Sequence, residues 1–346
     1  MVTAGRTGGG LLRPGSLFLG NGTLPGIVLM TLADTARRLG FGRLALALWH
    51  RPIGLIRYSL NHGGPLVQRG TEQQRREMEA AAATLPPLPT PARDTPLRFH
   101  LLTGRRFWYQ TVFCLHSLAR AAGEPIAAEI YDDGTIDADV AAKLQRLGSA
   151  IHIQSHAEIL ARLEQHLPAD RFPVLRDRWL KYPNIRKLTD VHLGSTGWKL
   201  VIDSDLLFFR RPALLLDWLR APDRPLHAID CTESYGYSRA LLERLAGAPL
   251  APLVNVGLTG LQSESLDWPQ LEAWTAELIA RERTNYYLEQ ALVAMLVAGR
   301  DCTVAPAADY ITMPGRDEVL HPTAVMHHYV AHAKRWYFRN GWRHLV

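Results

Sequence analysis

Trp198-Lys199-Leu200-Val201-Ile202-Asp203-Ser204-Asp205-Leu206-Leu207-Phe208-Phe209 is an apolar run, an acid pair spaced by one residue, and a second apolar run. The first run reads as a strand buried on both faces, as at the centre of a parallel sheet. Asp203 and Asp205 arrive where that strand ends. Residues i and i+2 of extended backbone project to the same side, so the two carboxylates can converge. Like charges so placed repel, and desolvation adds to the penalty unless a cation or donors compensate. Mg²⁺ or Mn²⁺ compensates well, because a hard cation takes carboxylate oxygens and leaves positions for phosphate oxygens. An open α/β sheet binds ligands beyond the carboxyl ends of its strands, where this pair falls. The bland alternative is a solvated turn after a core strand, since D-x-D is a common tripeptide.

Outward from this strand the chain alternates strand and helix. Residues 97–102 read as a strand, and residues 106–122 as a helix whose Phe107, Val112, Leu115 and Leu118 face a sheet. His116 and Ser117 lie among those packing residues and read as structural. A second strand spans 125–131 and ends in Asp132-Asp133-Gly134. There one carboxylate can reach a ribose hydroxyl, or the acids can cap the loop into a helix from residue 138. Residues 151–154 form a third strand, followed by helices at 157–166, 172–180 and 184–193. Beyond the central strand come a helix at 212–219 and a strand at 226–229 ending at Asp230. In 253–261, Asn255 needs a partner if buried, and Gly257 permits close approach of a ligand or chain. Helices follow at 271–280 and 286–298, the second with Glu289-Gln290 in its first turns. The tail 325–338 carries His327, His328, His332, Lys334 and Arg335, enough for one metal ligand and one phosphate contact.

Composition bounds these readings. With 346 residues and 47% hydrophobic content, the chain can bury a full core as an ordinary globular protein. Its three cysteines, Cys114, Cys231 and Cys302, are too scattered for a disulfide framework or a zinc cluster. Each reads as a buried small residue in a reducing compartment, so a cytoplasmic location is expected. The net charge of +6 is uneven. Residues 1–71 hold eight arginines against the single acid Asp34. Residues 27–49 and 52–57 carry helical signals, residues 71–83 form a polar-to-alanine helix, and 86–96 is a proline-spaced linker. These define a mostly helical N-terminal extension, residues 1–95, before a catalytic domain at 96–346. The basic extension can dock on that domain, lie peripherally at an anionic membrane surface, or make a homo-oligomer contact. No apolar run is long enough to span a membrane, and residues 1–10 lack a signal core.

Taken together, these landmarks resemble a nucleotide-sugar-dependent glycosyltransferase of the GT-A fold, with glycogenin-like features. The resemblance covers roughly Arg98 to Phe338. It rests on 200–209 around Asp203-Ser204-Asp205, the strand and helix at 98–122, and the second strand ending at Asp132. Asn255-Val256-Gly257, Glu289-Gln290 and the closing His with a downstream Lys complete it. The resemblance implies an α/β fold with a mostly parallel central sheet flanked by helices. It implies Mn²⁺ or Mg²⁺ held by Asp205 directly, by Asp203, and by a late histidine, His328 in preference to His327. Lys334 would contact the leaving phosphate. Thr103, Asp132, Asp203, Asn255 and Gly257 would line the donor site, a UDP-sugar being the family preference. The tail lacks the glycine-containing spacing that glycogenin-like members have between His and Lys.

Glycosyl transfer demands that charge developing on the leaving diphosphate be neutralised, a task for the metal and Lys334. If configuration inverts, a carboxylate must deprotonate the acceptor hydroxyl, with Asp230, Glu233 and Glu289 as candidates. If it is retained, Asn255 or Gln290 can line the sugar face. A sugar-phosphate nucleotidyltransferase needs a glycine-rich basic loop after the first strand, and Thr103-Gly104-Arg105-Arg106 is a thin match. A noncatalytic nucleic-acid binder is suggested by the basic charge and nine tryptophans. No zinc finger, RNA-reading strand pattern or sustained basic groove supports it, so no nucleic acid is expected. A degenerate transferase domain used only for binding is the remaining alternative.

Overall fold

The computed structural model describes residues 64–90 and 97–346, which belong to one compact unit, His62–Val346. The helical stretches expected at 27–49 and 52–57 lie outside the described residues, as does the expected boundary at about residue 95. The described strands are β1 (Leu97–Thr103), β2 (Ile126–Asp132), β3 (Ile151–Gln154), β4 (Trp198–Ile202) and β5 (Leu206–Phe208). They continue with β6 (Leu226–Ile229), β7 (Val254–Gln262), β8 (Thr303–Ala305), β9 (Tyr310–Thr312) and β10 (Met326–His328). Seven form one sheet in the order β3-β2-β1-β4-β7-β6-β8, and β5-β10-β9 form a small second sheet. In the large sheet β7 alone runs against its neighbours β4 and β6, and the other pairings are parallel. The fold is therefore α/β with a mostly parallel central sheet flanked by helices. β4 is central, but one of its two neighbours is antiparallel rather than parallel.

Burial explains the strand sequences. In β4, Leu200 and Ile202 enter one core cluster while Val201 enters the other, so the strand is covered on both faces. β2 is buried at all seven positions, which is why its sequence reads as a continuous run rather than an alternation. The helix Trp108–Ala122 covers the first face with Val112, Leu115 and Leu118. It ends at Gly123, whose positive φ of 68° lets its N–H reach the Ala119 carbonyl. Phe107 was expected to face the sheet and instead caps this helix, 36% exposed, because it precedes the first turn. Helices His156–His166 and Arg186–His192 cover the other face through Ile159, Leu163, Leu188 and Val191. A reciprocal Ser155–Glu158 capping box starts the first of them.

The helix Gly64–Ala82 lodges Met78 and Ala82 in the same core as Phe99 and Leu115. In the proline-spaced stretch after it, Leu88 is buried and its N–H donates to the Leu147 carbonyl at 2.8 Å. Of the cysteines, Cys114 is buried as expected, whereas Cys231 is exposed and Cys302 only half-buried. The correction for Cys231 has a plain cause: it sits in the loop after β6, outside both cores. Among the described residues no helix is long and apolar enough to cross a membrane.

Candidate active site

Two strand ends build the centre of the site. β4 stops at Ile202, yet Asp203 N–H still donates to the Gly257 carbonyl at 2.9 Å, so the first acid remains tied to β7. β10 pairs antiparallel with β5, placing His328 opposite Leu206, and Tyr329 N–H donates to the Asp205 carbonyl at 3.1 Å. That pairing carries the His328 ring to the acid pair. Its Nε2 lies 3.5 Å from Asp203 Oδ2 and 3.4 Å from Asp205 Oδ1. Side chains alternate along a strand, so His327 faces the opposite way. His327 is fully buried between Glu318, at 2.8 Å, and the Tyr329 hydroxyl, at 3.0 Å. His332 is exposed. The choice among the three histidines falls on His328, which groups with Asp203 and Asp205, ligand atoms all within 4.8 Å of one another.

Two lysines hold the outer carboxylate oxygens. Lys187 Nζ lies 2.9 Å from Asp203 Oδ1, 3.3 Å from the Val256 carbonyl and 3.3 Å from Glu289 Oε2. Lys334 Nζ lies 2.6 Å from Asp205 Oδ2 and donates to Gln110 Oε1 at 2.9 Å. Each acid thus gives one oxygen to a lysine and turns the other toward His328. Burial alone would raise both acids. Lys334 and His328 outweigh it and hold Asp205 well below the usual carboxylate range, while Lys187 and His328 lower Asp203. Burial would lower His328, but the two carboxylates push it up to about 9. Glu289 shows the opposite balance: burial outweighs Lys187 and raises it to about 7.

These residues fit a divalent cation. The buried His328 Nε2 has no hydrogen-bond partner among the described residues and points between two inward carboxylate oxygens. Neighbouring ligands of an octahedral ion with bonds of about 2.1 Å sit about 3 Å apart, slightly closer than Nε2 stands to each carboxylate oxygen. The Gly257 requirement is also explained. A Cβ there would meet His328 Cε1 at 2.2 Å, so the glycine is the floor under the histidine ring. The expected close neighbour of Gly257 is this ring.

Other residues singled out in the sequence take varied places. Asp230 ends β6, with Oδ2 accepting from Gln290 Nε2 at 2.9 Å and Oδ1 from Cys231 N–H at 2.8 Å. Gln290 Nε2 also donates to the Val254 carbonyl at 2.8 Å. Asn255 is buried, and its Oδ1 accepts from Gly257 N–H at 2.8 Å. The pairing of β7 with β6 slips here, from His227 opposite Thr259 to Ala228 opposite Asn255. Thr103 is buried and its hydroxyl accepts from Thr111 at 2.8 Å, joining β1 to the helix behind it. Asp132 Oδ1 accepts from the N–H groups of Gly134, Thr135 and Ile136. Glu233 is exposed and pairs with Arg239 at 2.7 Å. Sequence reasoning missed Lys187 and Gln110. Lys187 stood in a basic stretch with nothing to mark it, although the flanking Leu188 and Val191 signalled a buried helix.

No protein-family model matches this chain, and no curated protein matches it. Solved structures do. The bifunctional glycosyltransferase WbbM is 12% identical over 70% of this chain and 47% of that one, with a TM-score of 0.47. Mouse xyloside xylosyltransferase 1 is 14% identical over 67% of this chain and 97% of that one, TM-score 0.45. The galactosyltransferase LgtC, in complex with donor and acceptor sugar analogues, is 15% identical over 68% and 87%, TM-score 0.44. The chain spans about half the length of WbbM. At this level a likeness assigns no residue, donor or acceptor to this chain.

Proposed function

We propose that this protein is a metal-dependent GT-A glycosyltransferase that moves a sugar from a nucleotide-diphosphate sugar, a UDP-sugar by preference, to a hydroxyl acceptor. One observation carries the reading: Asp203, Asp205 and His328 converge beyond the carboxyl end of β4, with Nε2 unpartnered between the acids. Support comes from the sheet, whose strand order reverses between the parallel β1 and β4, so the carboxyl end of β4 lies where open α/β sheets take ligands.

Mn²⁺ or Mg²⁺ held by the three residues would supply positive charge to the diphosphate as it leaves. Lys187 and Lys334 fix the orientation of the two carboxylates by holding their outer oxygens. Lys187 is buried and stays with Asp203 and Glu289. Lys334 is the more open of the two, and its flexible stem can carry Nζ from Asp205 to a phosphate oxygen, exchanging one anion for another. Asp230 is the partly exposed carboxylate able to accept a proton from an acceptor hydroxyl if configuration inverts. If it is retained, the Gln290 and Asn255 amides present dipoles to the sugar face.

Calorimetric titration of UDP, GDP and dTDP, with and without Mn²⁺, tests this on the wild type and Asp205→Ala. Metal-dependent binding of one diphosphate, lost in the variant, is the expected result. A folded wild type that binds none of them sinks the reading.

A further inference from the structure

Just before the helix that carries Gln290 stand two exposed aromatic residues. Tyr286 is the most exposed large apolar side chain among the described residues, at 71%, and Tyr287 follows at 40%. Their rings meet edge to face, 5.3 Å between centroids and 86° between planes, making an open corner. Surface tyrosines are common, but these are held in place. The Tyr182 hydroxyl donates to the Tyr286 carbonyl at 2.5 Å and accepts from Glu289 N–H at 3.3 Å. Tyr287 N–H donates to Asn285 Oδ1 at 3.0 Å, and Asn285 Nδ2 donates to the Gly236 carbonyl at 2.6 Å. Their backbone is thus braced from two sides, and the helix Leu288–Leu296 that starts after them carries Gln290 onto Asp230.

We infer that Tyr286 and Tyr287 form the acceptor platform and that the acceptor is a carbohydrate, whose pyranose ring stacks on Tyr286. This inference rests on the transferase reading of the site. A pyranose has a face of C–H groups and a rim of hydroxyls. The corner offers the matching set: an aromatic face for the C–H side and free phenol hydroxyls for the rim. Tyrosine gives a large contact at little loss of side-chain freedom, and the bracing fixes the backbone that carries both rings. A lipid chain would ask for a long apolar groove, which a two-ring corner does not provide. Continuity argues for the location, since Tyr287 caps the helix whose third residue, Gln290, holds the Asp230 carboxylate.

Saturation-transfer NMR on the full chain tests the inference, with UDP and Mn²⁺ present. The probes are methyl β-D-galactopyranoside, methyl α-D-glucopyranoside, lactose and octyl β-D-glucoside. The proteins are wild type, Tyr286→Ala and Tyr286→Phe. The expected result is saturation of the C–H protons of one ring face in at least one probe. Tyr286→Phe keeps it, and Tyr286→Ala weakens binding roughly tenfold. Equal ring signals in wild type and Tyr286→Ala overturn the platform, as does an absence of ring signals from every probe on the wild type. Saturation confined to the octyl chain overturns the sugar assignment in favour of a lipid. UDP titration of the same three proteins is read separately. Failure of the transferase reading appears as wild type that binds no nucleotide, failure of the platform as unchanged sugar binding by Tyr286→Ala.

Discussion

Two strand ends in this sheet carry a pair of aspartates, and the fold treats them in opposite ways. At the end of β2, Asp132 accepts three backbone N–H groups through one oxygen, and Asp133 accepts the N–H and hydroxyl of Thr135. One oxygen of each carboxylate shapes the loop. At the end of β4, Asp203 and Asp205 face two lysines and a histidine, all side chains. Backbone amides cannot leave without unfolding a turn, whereas a side-chain cation as open as Lys334 can rotate away. The spacing in sequence reflects this: an adjacent pair must turn to use both acids, while the i, i+2 pair aims both at one point.

Asp205→Ala bears hardest on the contrast. It should remove metal-dependent nucleotide binding and lower turnover by about 10²–10³-fold, as removal of a preorganised charge partner does. Calorimetry and a donor-hydrolysis assay read this, and variant binding within a few-fold of wild type would erase the distinction between the two pairs. Gly257→Ala comes next. Its Cβ forces the His328 ring to move, so Mn²⁺ affinity should fall about 10–100-fold with the sheet intact by circular dichroism. Unchanged affinity would mean His328 is no ligand.

pH sharpens the comparison further. In the metal-free protein His328 is raised from 6.5 to about 9, so its stabilising charge is complete below about pH 6.5 and lost as pH rises through 9. A metal must displace that proton. Mn²⁺ affinity should therefore climb about tenfold per pH unit up to about 9, with close to one proton released in buffers of differing ionisation heat. A flat profile would show that the acids bind metal without His328. The smallest functional effect belongs to the other pair. Asp132→Ala should leave Mn²⁺ affinity unchanged and lose about 1–3 kcal/mol of stability, seen as a drop of a few degrees in Tm. Lost nucleotide binding with unaltered Tm would instead return Asp132 to the donor site.

The difference between the strand ends also marks what could be read beforehand. β1 to β4, β6 and β7 were legible because each is a buried apolar run of ordinary length between turn residues. The three-residue strands β8, β9 and β10 were not, since such a length has no period to detect. The acid pair was legible because it sits between two apolar runs, 200–202 and 206–209. His328 was narrowed to one of three histidines, and the decision needed the β5–β10 register. Lys187 was invisible because its partners come from other elements, Asp203 from the end of β4 and Glu289 from the helix Leu288–Leu296. Gly257 stood out as a glycine within a strand pattern, yet only the structure names the ring it makes room for.

The β5–β10 pairing has a kinetic consequence. Asp205 and His328 are separated by on the order of a hundred residues, and the contact between them closes a loop of that length. Until β10 docks, the acid pair lacks its histidine. It also lacks Lys334, which lies just beyond on the same returning segment. As the chain is made from its N-terminus, Asp203 and Asp205 follow Lys187 closely but are synthesised long before His328 and Lys334. Under the proposed function, capacity to bind Mn²⁺ would therefore report completed folding, because the last strand brings His328 and Lys334 home together.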